Sequence, residues 1–548
     1  MAAELSAIHE MAASGDVAAA IARCQAARAH FGPRAPILAR LGALLARQGN
    51  AAEARDLLER VLAVEPDLHE ALFALGSLSL VDGRLAEAAS LLDRALSQDP
   101  ENPAILLNRG LLAVRTGESD AAMDFFRRVL ANDPCNSGAA DTLFHLLVQR
   151  ESYDEALALA QGLIARQPDR GRWWRMRGFL LFKRYYEPEE AERCFARAEI
   201  SEAGDPAYWT ERGICARDRG DLPMALDCFE RGLAIAPENA LARFHRGLAR
   251  LYAENYTVGW PDYESRFADA SLRTIPLPGK PWQGEALAGA RLLVVAEQGL
   301  GDEIMFASCL GNLPTDGRIA LRCAARLEPI FRASFPACEV FSKDAITPAD
   351  WDDAWSIAAG SLPRFFRNSR ESFPRQPYLR ASDAGRDKAR EFIDGLPAGR
   401  RIGISWRGGT ENTRRRMRTM ELADVARLLR IPDTHWVSLQ YGDCTEDLRV
   451  LEETHGVSLR HPQDVLDDYD ATAALVERLD LVVTVCTAIV HLAGALGKEV
   501  WVLAPKVPEW RYGLHFRFMP WYRQVEILRQ ADGGDWSKPL EEVIRRLT

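Results

Sequence analysis

The chain has 548 residues, 47% hydrophobic and 27% charged, a balance that excludes wholesale disorder and predicts three or four domains. Its 78 acidic and 68 basic side chains leave a formal charge of −10, the reverse of the basic excess of a nucleic-acid-wrapping protein, so nucleic acid is excluded as the main partner. Ten cysteines are scattered with no CxxC pair and no zinc spacing, which argues against a disulfide framework or a structural metal site.

The first sixteen residues carry Glu4, His9, Glu10 and Asp16 and lack a basic segment followed by an apolar run. No stretch reaches 18 uninterrupted apolar residues. The sequence therefore predicts a cytoplasmic chain without a signal peptide or transmembrane segment.

The first half is periodic. Gly42, Gly76 and Gly110 lie 34 residues apart, and Gly178, Gly213 and Gly247 continue the series. Ala20, Ala54, Ala88, Ala122 and Ala156 keep the same period, and Ala191 and Ala225 follow after a one-residue insertion. Pro66, Pro100, Pro134 and Pro168 close consecutive units, and Pro237 closes a later one. Glycine and alanine let two antiparallel helices approach closely. Phe126, Phe195 and Phe229, four residues after their alanines, fill the layer against the next unit. Proline ends the second helix because it has no N–H and clashes with the preceding turn. The pattern resembles the tetratricopeptide repeat (TPR), in about seven units over residues 1–260. The resemblance implies an α-solenoid, since one unit cannot bury its apolar face alone, with a concave groove for a peptide or protein. Trp173, Trp174, Tyr185 and Tyr186 are candidates for that groove and equally for packing between units.

The period fails after Gly247. Trp260-Pro261-Asp262-Tyr263-Glu264 and then Ile275-Pro276-Leu277-Pro278-Gly279-Lys280-Pro281-Trp282 form a proline- and glycine-dense junction over 261–290. Beyond it, buried strands are expected at 291–296, 319–322, 401–406, 436–439, 481–485 and 500–504, alternating with helical stretches. That alternation predicts doubly wound parallel sheets, in two lobes over 291–398 and 399–548 with a cleft between them.

Two stretches carry candidate chemistry. In Glu297-Gln298-Gly299-Leu300-Gly301-Asp302, Gly299-x-Gly301 is half of a dinucleotide fingerprint, and Ile304 stands where the third glycine belongs. The turn sets Asp302 at a helix N-terminus, where a carboxylate also serves as a cap. In the second stretch a strand ends at Val485 and a helix begins near Thr487. Its free N–H groups and dipole suit a phosphate, with His491 one turn on along the same face.

Together with the Gly403-Ile404-Ser405-Trp406 strand, Ser438-Leu439-Gln440 and Val500-Trp501-Val502-Leu503, these stretches resemble GT-B glycosyltransferases of the heptosyltransferase-like (family 9-like) class. Trp260…Tyr263-Glu264, Trp282-x-Gly284 and Ala296-Glu297-Gln298-Gly299-Leu300-Gly301-Asp302 look like the bacterial subgroup that joins TPR repeats to such a domain. The match spans about residues 255–545. It implies a GT-B fold of two Rossmann-like lobes, acceptor side first and donor side second, and inverting, metal-independent sugar transfer. Asp302 would be the general base on the acceptor hydroxyl, with Gln298, Gly299 and Gly301 shaping its loop. Thr487 and His491 would stabilise the departing nucleotide phosphate. From the basic loop Arg407, Arg414, Arg415, Arg416 and Arg418, the resemblance favours Arg416 or Arg418 as the phosphate fork. Gln440 would meet the base or ribose, Trp406 and Cys486 belong to the donor side, and Trp510 and Arg511 would touch acceptor or donor. The family has Asp immediately before the Thr, where this chain has Cys486.

Asp350-x-Asp352 and Asp468-x-Asp470 match the loose DxD pattern of metal-dependent glycosyltransferases. They are set aside because GT-B folds stabilise the leaving group without metal, so the only small molecule expected is the nucleotide-sugar donor itself. The expected partner is a protein acceptor held in the TPR groove. Flagellin Ser/Thr is implied by TPR–GT-B proteins that modify flagellin with nonulosonic acids. The alternatives are a lipopolysaccharide or other glycan acceptor, and a non-catalytic TPR adaptor with a vestigial GT-B half.

Overall fold

The structure, a computed structural model, describes every residue except 270, 271, 273, 274, 346–350, 352, 410–414, 532 and 533. It divides into two compact units, Met1–Glu202 and Ala203–Thr548.

The first unit consists of paired helices from Ala2–Ala13 to Pro188–Glu202. Every periodic glycine faces the residue sixteen positions on. A Cβ on Gly42 would lie 2.7 Å from Leu58, one on Gly76 3.0 Å from Leu92, and one on Gly110 2.7 Å from the Phe126 ring. Ala20, Ala54, Ala88, Ala122, Ala156 and Ala191 are all fully buried. Helices Ala51–Val64, Leu85–Gln98, Ser119–Asn132 and Tyr153–Arg166 each stop two residues before their proline. The one-residue insertion has a physical home: a π-helical turn at Leu181–Tyr185, followed by Tyr186 in the left-handed region at φ 56°. Trp173 is core, its indole N–H donating to Gln167, while Trp174 donates to the Pro168 carbonyl.

The second unit opens with helices Pro206–Asp218, Leu222–Ile235, Ala240–Tyr252 and Tyr256–Tyr263. The same spacing holds here. A Cβ on Gly213 would meet the Phe229 ring at 2.6 Å, and one on Gly247 the backbone of Tyr263 at 2.7 Å. The repeat-like packing thus extends through helix Tyr256–Tyr263, and its last members pack within the α/β unit. Buried Asp262 anchors this last pair through Arg246 (2.7 and 3.0 Å) and Arg250 (2.7 Å).

Ten strands follow among the described residues: β1 (Lys280–Pro281), β2 (Arg291–Val295), β3 (Arg318–Cys323), β4 (Cys338–Ser342), β5 (Trp355–Ala358), β6 (Arg400–Ser405), β7 (Thr434–Ser438), β8 (Leu481–Val485), β9 (Val500–Ala504) and β10 (Val525–Arg529). They form two sheets, ordered β1-β5-β2-β3-β4 and β10-β9-β8-β6-β7, and every pairing between these strands is parallel. All five residues of β8 and of β9 are buried, as expected of a sheet covered on both faces. The strand order reverses direction between β2 and β5 in one sheet, and between β6 and β8 in the other. Ligands of open parallel sheets bind beyond the carboxyl ends of strands at such switch points.

Candidate active site

The carboxyl end of β2 leads through Glu297 and Gln298 into helix Leu300–Ala307, with Gly299 as its N-cap. Asp302 Oδ2 accepts from the Gly299 N–H at 3.3 Å, so the capping role is real. Its Oδ1 lies 2.7 Å from Arg511 Nη2, an ion pair that reaches from the first lobe to the second. The neighbouring Glu303 turns the other way, accepting from the Ala324 N–H at 2.9 Å and pairing with Lys343.

The carboxyl end of β8 leads through Cys486 to helix Ala488–Ala495, capped by the Thr487 hydroxyl, which accepts from the Ile489 N–H at 3.2 Å. A Cβ on Gly301 would come within 2.8 Å of His491 Cδ2 and 3.4 Å of Ala488 Cα. The second glycine of the GLGD turn is therefore required by the approach of two helices. His491 is buried, its Nδ1 3.2 Å from the Tyr522 hydroxyl. Burial, with Arg511 nearby, holds its imidazole well below the usual range, so the ring is neutral.

Two arginines, Arg418 and Arg529, stand around Cys486, and Arg511 lies beside Asp302. Arg418 pairs with Glu509 at 2.6 Å and reaches the Cys486 carbonyl at 3.4 Å. Arg529 donates to the carbonyls of Tyr512 and Phe516. Arg511 is held charged: burial works against its charge, but Asp302 and Glu509 outweigh burial and raise its pKa. Burial pushes the Cys486 thiol up, so the sulfur stays protonated. Three buried polar atoms in this group, Glu509 Oε2, Arg511 Nε and Arg529 Nη1, make no hydrogen bond among the described residues. Each such atom costs about 1–3 kcal/mol, and their concentration at the ends of two sheets marks a place prepared for a polar ligand.

The structure thus brings together Asp302, Gly299, Gly301, Cys486, Thr487, His491, Arg418 and Arg511. Other sequence-predicted residues are used differently. Gln440 is spent on the loop after β6: its Oε1 accepts from Ser405 Oγ and the N–H groups of Trp406 and Arg407, and its Nε2 donates to the Arg407 carbonyl. Trp406 is a core residue whose indole N–H donates to Asp447 at 2.9 Å. Trp510 is buried edge-on against Trp260, ring centroids 5.5 Å apart. Arg416 is exposed, Gln298 is tied to Tyr263, and Arg414, Asp350 and Asp352 lie outside the described residues. Asp468 caps helix Tyr469–Glu477, and buried Asp470 accepts from the Ser382 N–H. Among the described residues, no group of three His, Cys, Asp or Glu could hold a metal, and no helix is long and apolar enough to cross a membrane. Sequence reading missed Glu509 and Arg529. Glu509 sits in Pro508-Glu509-Trp510-Arg511, where a carboxylate two residues before an arginine was a usable signal.

The tetratricopeptide repeat family model matches residues 39–103, 73–136, 142–184 and 187–240. The chain is 31% identical over 362 residues to Protein FlbA of Caulobacter vibrioides, a match spanning 61% of this chain and 60% of that protein's length. It also resembles the solved tetratricopeptide repeat protein from Parabacteroides merdae, at 19% identity over 45% of this chain and 97% of that one, TM-score 0.33. YrrB, a TPR protein with an unusual peptide-binding site, is similar at 22% identity over 33% of this chain and 94% of that one, TM-score 0.28. The chain carries tetratricopeptide repeats in its helical part, followed by an α/β part built on parallel sheets.

Proposed function

We propose that this chain is a glycosyltransferase: the repeats hold a protein acceptor, and the two lobes move a sugar from a nucleotide-activated donor to one of its Ser or Thr hydroxyls. The observation that carries this reading is the buried polar group around the Asp302–Arg511 pair, in which Glu509, Arg511 and Arg529 keep unbonded atoms, near the Thr487 helix start. The chemistry needs a base for the hydroxyl and positive charge for the departing phosphate. Asp302 takes the acceptor proton as oxygen attacks the anomeric carbon. The sugar–phosphate bond breaks, and its electrons pass to a nucleotide phosphate met by the helix N-terminus and the arginine forks. These guanidinium groups supply the charge a metal would otherwise bring, so the transfer is metal-independent. Flagellin is the acceptor that the resemblance to TPR–GT-B proteins points to.

The test is donor-induced thermal stabilisation with UDP-, GDP-, ADP- and CMP-linked sugars, CMP-nonulosonic acids included, followed by transfer to purified flagellin. A donor should raise the melting temperature with concentration. Asp302→Asn should keep that stabilisation and lower turnover by about 10²–10⁴-fold. Silence across the donor panel would leave the adaptor reading in its place. Unchanged intact flagellin mass in a strain lacking the gene would remove flagellin as acceptor.

A further inference from the structure

The turn bearing Asp302 is held from outside its own sheet. Gln298 has φ 68°, a left-handed conformation that side-chain-bearing residues adopt infrequently. Its side chain is exposed, yet Gln298 Nε2 donates to the hydroxyl of buried Tyr263 at 2.5 Å. Tyr263 closes the last repeat helix, Tyr256–Tyr263, where its backbone packs on Gly247. The preceding residue, Glu297, is gripped by Arg266 at 2.7 and 3.3 Å, and both side chains are buried. Glu297 Oε1 also accepts from the Gly360 N–H at 3.1 Å, and Arg266 Nη2 donates to Ser361 Oγ at 2.8 Å. Gly360 and Ser361 follow β5, across the switch point from β2. The guanidinium of Arg266 lies over the Tyr263 ring, 4.5 Å from its centroid, so the two anchors form one assembly.

We infer that Tyr263 and Arg266 are positioning residues that fix the 297–302 turn, and with it the Asp302 carboxylate, from the end of the repeat array. Two consecutive residues of the turn are each pinned by a residue from the same short segment, and one of the two holds a left-handed backbone conformation that glycine adopts at less cost. Loss of the Tyr263 hydroxyl lets Gln298 leave the left-handed region, which moves Gly299 and the first turn of the helix that carries Asp302. Glycine at 298 adopts that conformation without an anchor, so it should restore the turn.

The catalytic importance of this turn rests on the proposed transfer reaction, but its anchoring can be measured in the free protein. Hydrogen exchange at the amides of Gly299, Asp302 and Glu303, bonded at 2.9–3.3 Å within the turn, reports it directly. In Tyr263→Phe these amides should exchange about tenfold faster while those of β8 and β9 are unchanged. Adding Gln298→Gly should return them to the wild-type rate. Unchanged exchange in Tyr263→Phe would overturn the inference, as would failure of the second substitution to restore it. If Tyr263→Phe loosens the whole unit, Gln298→Ala decides: it removes the same hydrogen bond from the exposed side, and only a local acceleration supports the anchor. Where a donor from the panel is turned over, Tyr263→Phe should lower kcat with an unchanged donor KM, and the double variant should recover it. A chain with no turnover but with the exchange pattern intact would sink the glycosyltransferase reading and keep the anchor.

Discussion

Arg94 and Arg128 occupy equivalent places in consecutive repeats. Arg94 donates to the Pro66 carbonyl at 2.6 Å and to Asp67 at 3.0 Å, and Arg128 to the Pro100 carbonyl at 2.6 Å and to Glu101 at 2.9 Å. The two contacts recur at the repeat spacing, and each satisfies a carbonyl of the loop that follows a helix. Between the two sheets nothing recurs. Arg418, Arg511 and Arg529 come from different loops and strands, meet different partners in Glu509, Asp302 and the Tyr512 carbonyl, and have buried atoms unbonded near them among the described residues. Repetition distributes small gains evenly along an array, whereas a site concentrates uncompensated polarity in one place and relies on the surrounding core to hold it. The first arrangement tolerates local damage, and the second transmits it.

The sharpest test of that contrast is Phe126→Ala. Its ring is fully buried and fills the space above Gly110, so truncation should cost about 3–5 kcal/mol. The loss should stay within Met1–Glu202. Calorimetry that follows both units should show the repeat transition fall, with donor-induced stabilisation of the other unit intact. A coupled loss of donor binding would break the contrast. Gly301→Ala probes the opposite case. The new methyl would meet His491 Cδ2 at 2.8 Å, and the ring is held by the Tyr522 hydroxyl, so about 1–3 kcal/mol should be lost at the seam between lobes. Here binding and stability should fall together, as urea unfolding with and without donor would reveal.

The smallest effect is a pH dependence. The folded pKa of His491 is depressed below its ordinary 6.5, first by burial and then by Arg511. The unfolded chain therefore binds the proton more readily below that value. This contribution to stability is complete above the unfolded pKa and is lost as pH falls toward the folded one, at up to about 1.4 kcal/mol per pH unit. Melting curves of the second unit between pH 7 and 5 should show that slope, and His491→Gln should flatten it. An equal slope in both proteins would assign the dependence to other groups.

The periodic half was legible in detail because one residue type at one spacing has one physical use. Gly42, Gly76 and Gly110 each admit the partner helix sixteen residues on. The α/β half was legible as a class, through its apolar runs. β4, β5 and β10 escaped: Cys338–Ser342 and Trp355–Ala358 mix polar with apolar residues, and Val525–Arg529 follows a loop rich in aromatics. Gly301 carried a misleading signal, since a glycine demanded by helix contact and one demanded by a phosphate look alike in a string of letters. Trp406 and Gln440 were assigned to the donor through the family resemblance, yet their polar atoms are consumed by Asp447 and by the backbone of the loop. The pairing of Arg266 with Glu297 joins residues on either side of the junction, and no local pattern announces it.

Gly247 and Tyr263 pack as a repeat pair, yet the same Tyr263 bonds to Gln298 at the edge of a sheet. A helix that serves two architectures at once cannot be a recombination point. Genes that exchange their repeat arrays while keeping this α/β half must therefore splice upstream of Pro206, within the array itself, and carry its last helices along as inherited parts of the half they join.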